Sequence, residues 1–450
     1  MDHEYDLLVI GAGMAGISAA TKCASQGWRV GIVDDLPYGG TCALRGCDPK
    51  KILRRGAEVV EAARLMAGKG VLDPGLAMDW AALNQHKHTF TDPLPQQMEQ
   101  NLRTHGVDAL HGPAQFTGPR SVLVAQAEHT AAKVLIATGA VPRPLDFPGS
   151  EHLIDSTEFL NLTDLPGRIV FLGGGFISFE FAHIAARAGS TTVIVDRGVR
   201  PLKEFDADLV ELLVARGAEA GVEVRRRTSI ASIEKTGTGY TVSLETPRGT
   251  TTVETDLVVH GAGRQADLAR LNLEAAGVRY GDAGVEVEAH LQSTTNPRVY
   301  AAGDAAATPG RPLTPVAVAE AKVAASNMLK SATAVPDYSA TPTTVFSIPE
   351  LVRIGMLEEE ARASGVDVEV RYTDTSGWYS QHRIGEHAGA VKILVDRSDD
   401  RIVGAHLFGA DYAELGNTIS LAMKHGLTAS QLRSANATYP SVGSDLGSLL

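Results

Sequence analysis

The stretch Asp6-Leu7-Leu8-Val9-Ile10-Gly11-Ala12-Gly13-Met14-Ala15-Gly16 decides how this chain folds. Its near-continuous apolar run reads as a strand buried on both faces, as in a parallel sheet. Glycines at 11, 13 and 16 follow, and then small residues through Cys23 suit a helix packed closely on that sheet. Such glycines permit a tight turn, close approach to a pyrophosphate and close helix–strand packing. A second strand is expected from Trp28 to Val33, ending at Asp34, an acid placed to accept hydrogen bonds from a ribose. Strand, glycines, helix, strand and terminal acid together predict a dinucleotide-binding unit. Cys23, inside the helix, reads as a small core residue.

The pattern returns. Arg168 to Leu172 reads as a strand, Gly173-Gly174-Gly175-Phe176-Ile177-Ser178 as a second glycine turn, and Thr192 to Val195 as a strand before Asp196. Gly11 to Asp34 spans 23 positions, and so does Gly173 to Asp196. This internal repeat predicts two bound dinucleotides. Ser178 stands where a third glycine is expected, and is small enough for helix and strand to approach.

Between the repeats, Val134 to Ala140 reads as a strand and turn carrying Thr138 and Gly139, and Pro142, Pro144 and Pro148 suit a connection between domains. A matching return runs from Leu257 to Arg264 through Gly263, and Val299 to Asp304 is a strand ending in glycine and acid. From Ala340 the pattern changes to antiparallel-looking strands, such as Val391–Val395 and Ile402–Ala405, and a helix from Ala413 to His425. The expected fold is α/β, with two Rossmann-like dinucleotide-binding domains and a C-terminal α+β dimerisation domain. The expected boundaries are 1–148, 149–264, 265–335 and 336–450.

Gly39-Gly40-Thr41-Cys42-Ala43-Leu44-Arg45-Gly46-Cys47-Asp48-Pro49-Lys50-Lys51 carries two cysteines about one helical turn apart. Their sulfurs could bond if that turn is distorted. Pro49 suits the first turn of a helix, and Ile52, Gly56, Val59, Val60, Ala63 and Met66 repeat at helical spacing. A helix N-terminus, with Lys50, Lys51 and Arg54 nearby, is expected to favour a thiolate. A structural disulfide or two unrelated thiols are the other readings of the pair at this point.

The 450 residues carry a net charge of −12, three cysteines and no long basic run. A nucleic-acid partner and a secreted disulfide framework are thereby disfavoured. The acidic N-terminus is unlike a signal peptide, and no apolar run is long enough for a membrane span. A cytoplasmic protein is expected, and no metal ligand set is read.

These motifs, in this order, resemble the class I pyridine nucleotide–disulfide oxidoreductases, the family of glutathione reductase, dihydrolipoamide dehydrogenase and mercuric reductase. The resemblance rests on Gly11/Gly13/Gly16 with Asp34, Gly39 to Cys47, Ala137-Thr138-Gly139, the second glycine turn, and Ala301-Ala302-Gly303-Asp304. Leu313-Thr314-Pro315-Val316-Ala317 and Phe346-Ser347-Ile348-Pro349-Glu350 add to it. The resemblance implies FAD on the first repeat, held by the glycines with Asp34 on the adenosine ribose. Gly40, Thr41, Thr138, Gly139, Val316 and Ala317 would contribute, with Asp304 near the ribityl chain. It implies NAD(P)H on the second repeat, at Gly173, Gly175, Ile177 and Gly263, with Phe176 as an aromatic gate over the nicotinamide pocket. Cys47 would be the flavin-facing thiol and Cys42 the interchange thiol, and Lys51 and Glu180 would pair beside the flavin.

Asp196 suits the free 2′-hydroxyl of NADH, whereas Arg197 and Lys203 fall where NADPH-using relatives place phosphate-binding cations. The balance of charge favours NADPH, with NADH possible. A homodimer is implied as well.

The chain departs from the family at its tail. Relatives carry a His-Pro with a glutamate five residues after the histidine. Here Tyr439-Pro440 and Ser444 stand in those places, Asp445 is one position late, and no histidine follows His425. Tyrosine, with a reference pKa near 10 against about 6.5 for histidine, can donate a proton but is a poor base at neutral pH. The first expected function is an FAD enzyme passing electrons from NAD(P)H through Cys42 and Cys47 to a small-molecule disulfide or related electron acceptor, with Tyr439 of the partner subunit as proton donor. The alternatives are a quinone or metal-ion reductase and, from another class, a redox-responsive binding protein.

Overall fold

The structure, a computed structural model, describes residues 4–72 and 75–450. Of the acidic N-terminus, Met1 to His3 lie outside the described residues. The chain divides into two compact units: 1–51 with 85–143 and 263–338, and 52–84 with 144–262 and 339–450.

In the first unit, strand Tyr5–Ile10 pairs in parallel with Val30–Asp34 on one side and with Ala127–Ile136 on the other. Val107–His111 extends the sheet beyond Val30–Asp34, and Val299–Ala301 lies parallel to the end of Ala127–Ile136. Leu7, Val9 and Ile32 have no exposed surface, which is why this sequence shows no alternation. Helix Met14–Ala24 packs on the sheet through Ala15, Ala19, Ala20 and the fully buried Cys23. An antiparallel meander, Ala114–Gly118 to Ser121–Val124, and helices Trp80–Thr91 and Leu94–Thr104 escaped the sequence reading.

The second unit repeats the same order. Strands Val222–Arg225, Thr191–Val195, Arg168–Leu172 and Leu257–His260 form a parallel sheet in which the first strand of the repeat again lies between the second and the returning strand. Helix Phe176–Arg187 follows the glycine turn, with Ser178 fully buried against Gly261. A three-stranded antiparallel sheet, Ser229–Lys235, Tyr240–Thr246 and Gly249–Thr255, precedes the returning strand.

The C-terminal part of this unit is a five-stranded antiparallel sheet ordered Thr343–Val345, Glu350–Gly355, Ile402–Gly409, Ala390–Asp396, Val368–Asp374. Helix Tyr412–Lys424 buries Leu415 and Ile419 in the core it shares with this sheet. Among the described residues, no helix is long and apolar enough to cross a membrane.

Candidate functional site

The first glycine turn has almost no room for side chains. Gly11 sits at φ +107°, and a Cβ there would collide with the carbonyl oxygen of Ala137. Gly40, at φ +63°, faces Gly13 so closely that a Cβ would lie 2.6 Å from its Cα. The two glycine-bearing segments are therefore back to back, with main chain rather than side chain presented to a ligand. Asp34 holds the turn: its Oδ2 accepts from Ala12 N at 2.7 Å and its Oδ1 from Leu36 N at 2.9 Å. Burial pushes its carboxyl above the ordinary value, against these two hydrogen bonds. Thr138, just past strand Ala127–Ile136, has a buried hydroxyl without a hydrogen-bond partner among the described residues. A cradle closed to side chains, a helix N-terminus at Met14 and an unspent hydroxyl fit a dinucleotide such as FAD.

Asp304 lies in a one-turn helix, Gly303–Ala305, and burial raises its carboxyl. That turn is pinned by Glu320, which is 1% exposed. Its Oε2 accepts from Gly303 N, and its Oε1 from the hydroxyls of Thr308 and Tyr338, each at 2.7 Å. Glu320 was missed because a lone glutamate on helix Thr314–Lys330 carries no spacing signal. On the same helix Val316 is buried and Ala317 packs against Gly303.

Cys42 lies in a single π-turn, Thr41–Arg45, and Cys47 begins helix Cys47–Met66. A π-turn brings residues i and i+5 into register, which is the spacing of this pair. Neither is in a disulfide; Cys42 is half-buried and Cys47 exposed. Cys47 Sγ is 3.9 Å from the hydroxyl of Thr314, at the start of helix Thr314–Lys330. The expectation of a thiolate fails for Cys42. A hydrogen bond with Cys47 and then burial push its thiol up, outweighing a hydrogen bond from Thr314. Lys51 follows Cys47 by one helical turn.

In the second unit, Gly173 repeats the conformation of Gly11 at φ +102°, with a Cβ only 2.6 Å from the carbonyl oxygen of Gly261. Gly175 caps helix Phe176–Arg187, Ile177 is partly buried and Phe176 is 45% exposed at the helix start. Asp196 folds against the turn, and a Cβ on Gly174 would lie 2.6 Å from its Cγ. Arg197 and Lys203 are exposed beyond it, whereas Arg200 pairs with Glu359 at 3.7 Å. The backbone cradle and the cations fit a nicotinamide dinucleotide. Gly263, at φ +107°, belongs to the first unit and accepts from Arg143 N.

One turn beyond Phe176, Glu180 is 1% exposed. Its Oε1 accepts from Phe346 N at 2.7 Å, so the Phe346–Glu350 segment noted in the sequence is the one that grips it.

Tyr439 is 82% exposed, and its hydroxyl makes no hydrogen bond among the described residues. Ser444 does not serve it. The hydroxyl of Ser444 donates to Ser441 O at 2.6 Å, and that of Ser441 donates to Thr438 O at 2.6 Å, tying off the turn. Asp445 has a buried Oδ2 without a hydrogen-bond partner among the described residues.

The family model described as pyridine nucleotide-disulphide oxidoreductase matches residues 5–321, and that of its dimerisation domain matches residues 341–448. Glutathione reductase from Burkholderia cepacia is 30% identical over 447 residues, covering 99% of this chain and 98% of that protein. Mercuric reductase from Staphylococcus aureus is 29% identical over 445 residues, covering 97% of this chain and 80% of that protein. Among solved structures, the Cu(II) complex of the HOCl-induced flavoprotein disulfide reductase RclA from Escherichia coli matches with a TM-score of 0.89. It is 28% identical, and the match covers 100% of this chain and 99% of that one.

Proposed function

Because the chain belongs to the pyridine nucleotide–disulphide oxidoreductase family, an enzyme family using FAD and NAD(P)H, we propose that it reduces a small-molecule disulfide through Cys42 and Cys47. The observation that carries this reading is the π-turn that sets two thiols, five positions apart, at the start of helix Cys47–Met66. Bound FAD supplies hydride acceptance from a reduced nicotinamide and electron delivery to a disulfide.

In this reading the first repeat holds FAD, with Gly11, Gly13, Gly16, Gly40, Thr41, Gly139, Val316 and Ala317 lining its path. Asp34 takes the ribose, Thr138 offers its hydroxyl, and Asp304, fixed by Glu320, faces the ribityl chain. The second repeat holds NADPH at Gly173, Gly175 and Ile177, with Phe176 over the nicotinamide pocket and Gly263 near it. Arg197 and Lys203 outweigh Asp196 at the 2′-position. Lys51 pairs with Glu180 beside the flavin.

The thiol chemistry balances as follows. The sulfur of Cys42, losing its proton to solvent, from which Tyr439 afterwards regains its own, attacks one sulfur of the acceptor disulfide; an S–S bond forms and the acceptor's own S–S bond breaks. The departing thiolate takes a proton from Tyr439 of the partner subunit in a homodimer built on residues 341–448. Cys47 then attacks the sulfur of Cys42, closing the Cys42–Cys47 disulfide and releasing the second thiol. The exposed phenol of Tyr439, with no hydrogen bond of its own among the described residues, supports its reach beyond this chain.

A soft metal ion is the second reading. It is favoured by the Cu(II) complex of RclA, by the likeness to mercuric reductase, and by a tail without the proton-accepting histidine. Turnover with disulfides, a quinone, Hg²⁺ and Cu²⁺, in wild type and Cys42→Ser, separates the readings. Disulfide turnover abolished by Cys42→Ser supports the first, and metal reduction without disulfide turnover supports the second. Quinone turnover that survives Cys42→Ser contradicts both.

A further inference from the structure

The turn after strand Thr191–Val195, which carries Asp196 and Arg197, is stitched to the end of strand Val222–Arg225. Arg227 N donates to Gly198 O, and Thr228 N donates to Asp196 O, each at 2.9 Å. Arg227 is therefore one hydrogen bond away from the segment that flanks Asp196. It holds a left-handed backbone, φ +49°, a conformation uncommon for residues other than glycine.

The cations of this corner fall into two groups. Arg225 is spent on Glu223 at 2.8 Å, Arg226 on both oxygens of Glu211 at 2.7 and 2.8 Å, and Arg200 on Glu359 at 3.7 Å. Arg197, Lys203 and Arg227 are exposed and, among the described residues, have no carboxylate partner. Of three consecutive arginines, all close to the Asp196 turn (Asp196 N donates to Arg225 O at 2.9 Å), only the last keeps its charge uncompensated among the described residues.

We propose that Arg227 is a specificity-determining residue that, with Arg197, binds the 2′-phosphate of NADPH. The inference rests on the NADPH reading above and deepens it. A guanidinium presents a planar fork of donors matched to phosphate oxygens, and two such forks offset one nearby carboxylate. Asp196, packed on the backbone of Gly174, opposes them as the sole acid of the turn between residues 196 and 203.

The test uses the FAD-loaded enzyme and two fragments, 2′,5′-ADP and 5′-AMP, as competitive inhibitors, together with KM for NADPH and NADH. Arg227→Ala is expected to weaken 2′,5′-ADP and raise KM for NADPH about tenfold, leaving 5′-AMP and NADH within about twofold. Arg227→Lys should recover part of the loss, and Arg226→Ala, whose guanidinium is already spent, should change neither. The inference is overturned if Arg197→Ala weakens 2′,5′-ADP while Arg227→Ala does not, or if Arg227→Ala weakens both fragments equally; the NADPH reading then stands. A wild type that binds 5′-AMP as tightly as 2′,5′-ADP and prefers NADH overturns that reading and the inference with it.

Discussion

Oε1 of Glu180 accepts a hydrogen bond from the backbone N–H of Phe346 at 2.7 Å. The segment making that contact is itself clamped. Arg54 donates to Phe346 O and Ser347 O, each at 3.0 Å, pairs with Glu350 at 3.1 Å, and lies 5.6 Å from the centre of the Phe346 ring. A buried carboxylate proposed to sit beside the flavin thus has one oxygen fixed by main chain. Glu180→Ala leaves the Phe346 N–H without its acceptor and should cost about 1–3 kcal/mol in denaturant unfolding, most of which Glu180→Gln restores. Both variants should slow flavin reduction by NADPH about tenfold, equivalent to roughly 1.4 kcal/mol, because both lack the charge proposed to act beside the flavin. Wild-type reduction kinetics in Glu180→Gln would remove the charge from the account.

Purified protein should carry about one FAD per chain, since the first glycine turn and Thr138 are arranged for a dinucleotide. Flavin absorbance against protein concentration measures this. Gly11→Ala, whose methyl group meets the carbonyl oxygen of Ala137, should lose the flavin. Wild-type protein that shows no flavin absorbance and regains none with added FAD contradicts the assignment.

Glu61 predicts the acid limb of the stability profile. It is 6% exposed and pairs with Arg187 at 3.2 Å and with Arg216, which also pairs with Glu386 at 3.0 Å. Burial pushes its carboxyl up, but the two guanidinium groups outweigh burial and hold it below the ordinary value. A depressed carboxylate contributes stability above its unfolded-state pKa and loses it as pH falls through the folded value. Glu61→Gln should therefore cost about 3–5 kcal/mol at pH 7, with the gap to wild type narrowing below about pH 4. Urea unfolding at both pH values checks this, and equal stability at pH 7 would contradict it.

Tyr439→Phe keeps the ring and removes the proton. Flavin reduction by NADPH should be nearly unchanged, while reoxidation by a disulfide should slow by about 10²–10⁴-fold, the usual range of general acid–base help. The variant should remain a dimer by sedimentation. Disulfide turnover at the wild-type rate in Tyr439→Phe, or an active wild-type monomer, ends the role assigned to Tyr439.

The repeat was legible because its signal is local and geometric. Gly11 and Gly173 are demanded by backbone conformation, and each acid, Asp34 or Asp196, closes a strand at a fixed distance from its turn. The thiol pair was legible as a spacing, but its π-turn was not, since no residue type marks that winding. The proton on Cys42 was misread because helix ends and lysines are visible in sequence, whereas a second thiol and burial act through space. Glu320 and the Phe346 N–H were hidden for the same reason. A glutamate's partners lie 12 to 18 residues away for Glu320 and 166 away for Glu180, and no periodicity links them. The tail was legible only as a departure: Ser444 stands where a glutamate is expected, but it caps a turn with Ser441.

Anaerobic reductive titration tests the central claim most directly. If Cys42 and Cys47 exchange electrons with the flavin, oxidised wild-type protein should take up about four electrons per FAD, and Cys47→Ser about two. Wild-type protein that also stops near two electrons, with both thiols already reduced or inert, would contradict the account.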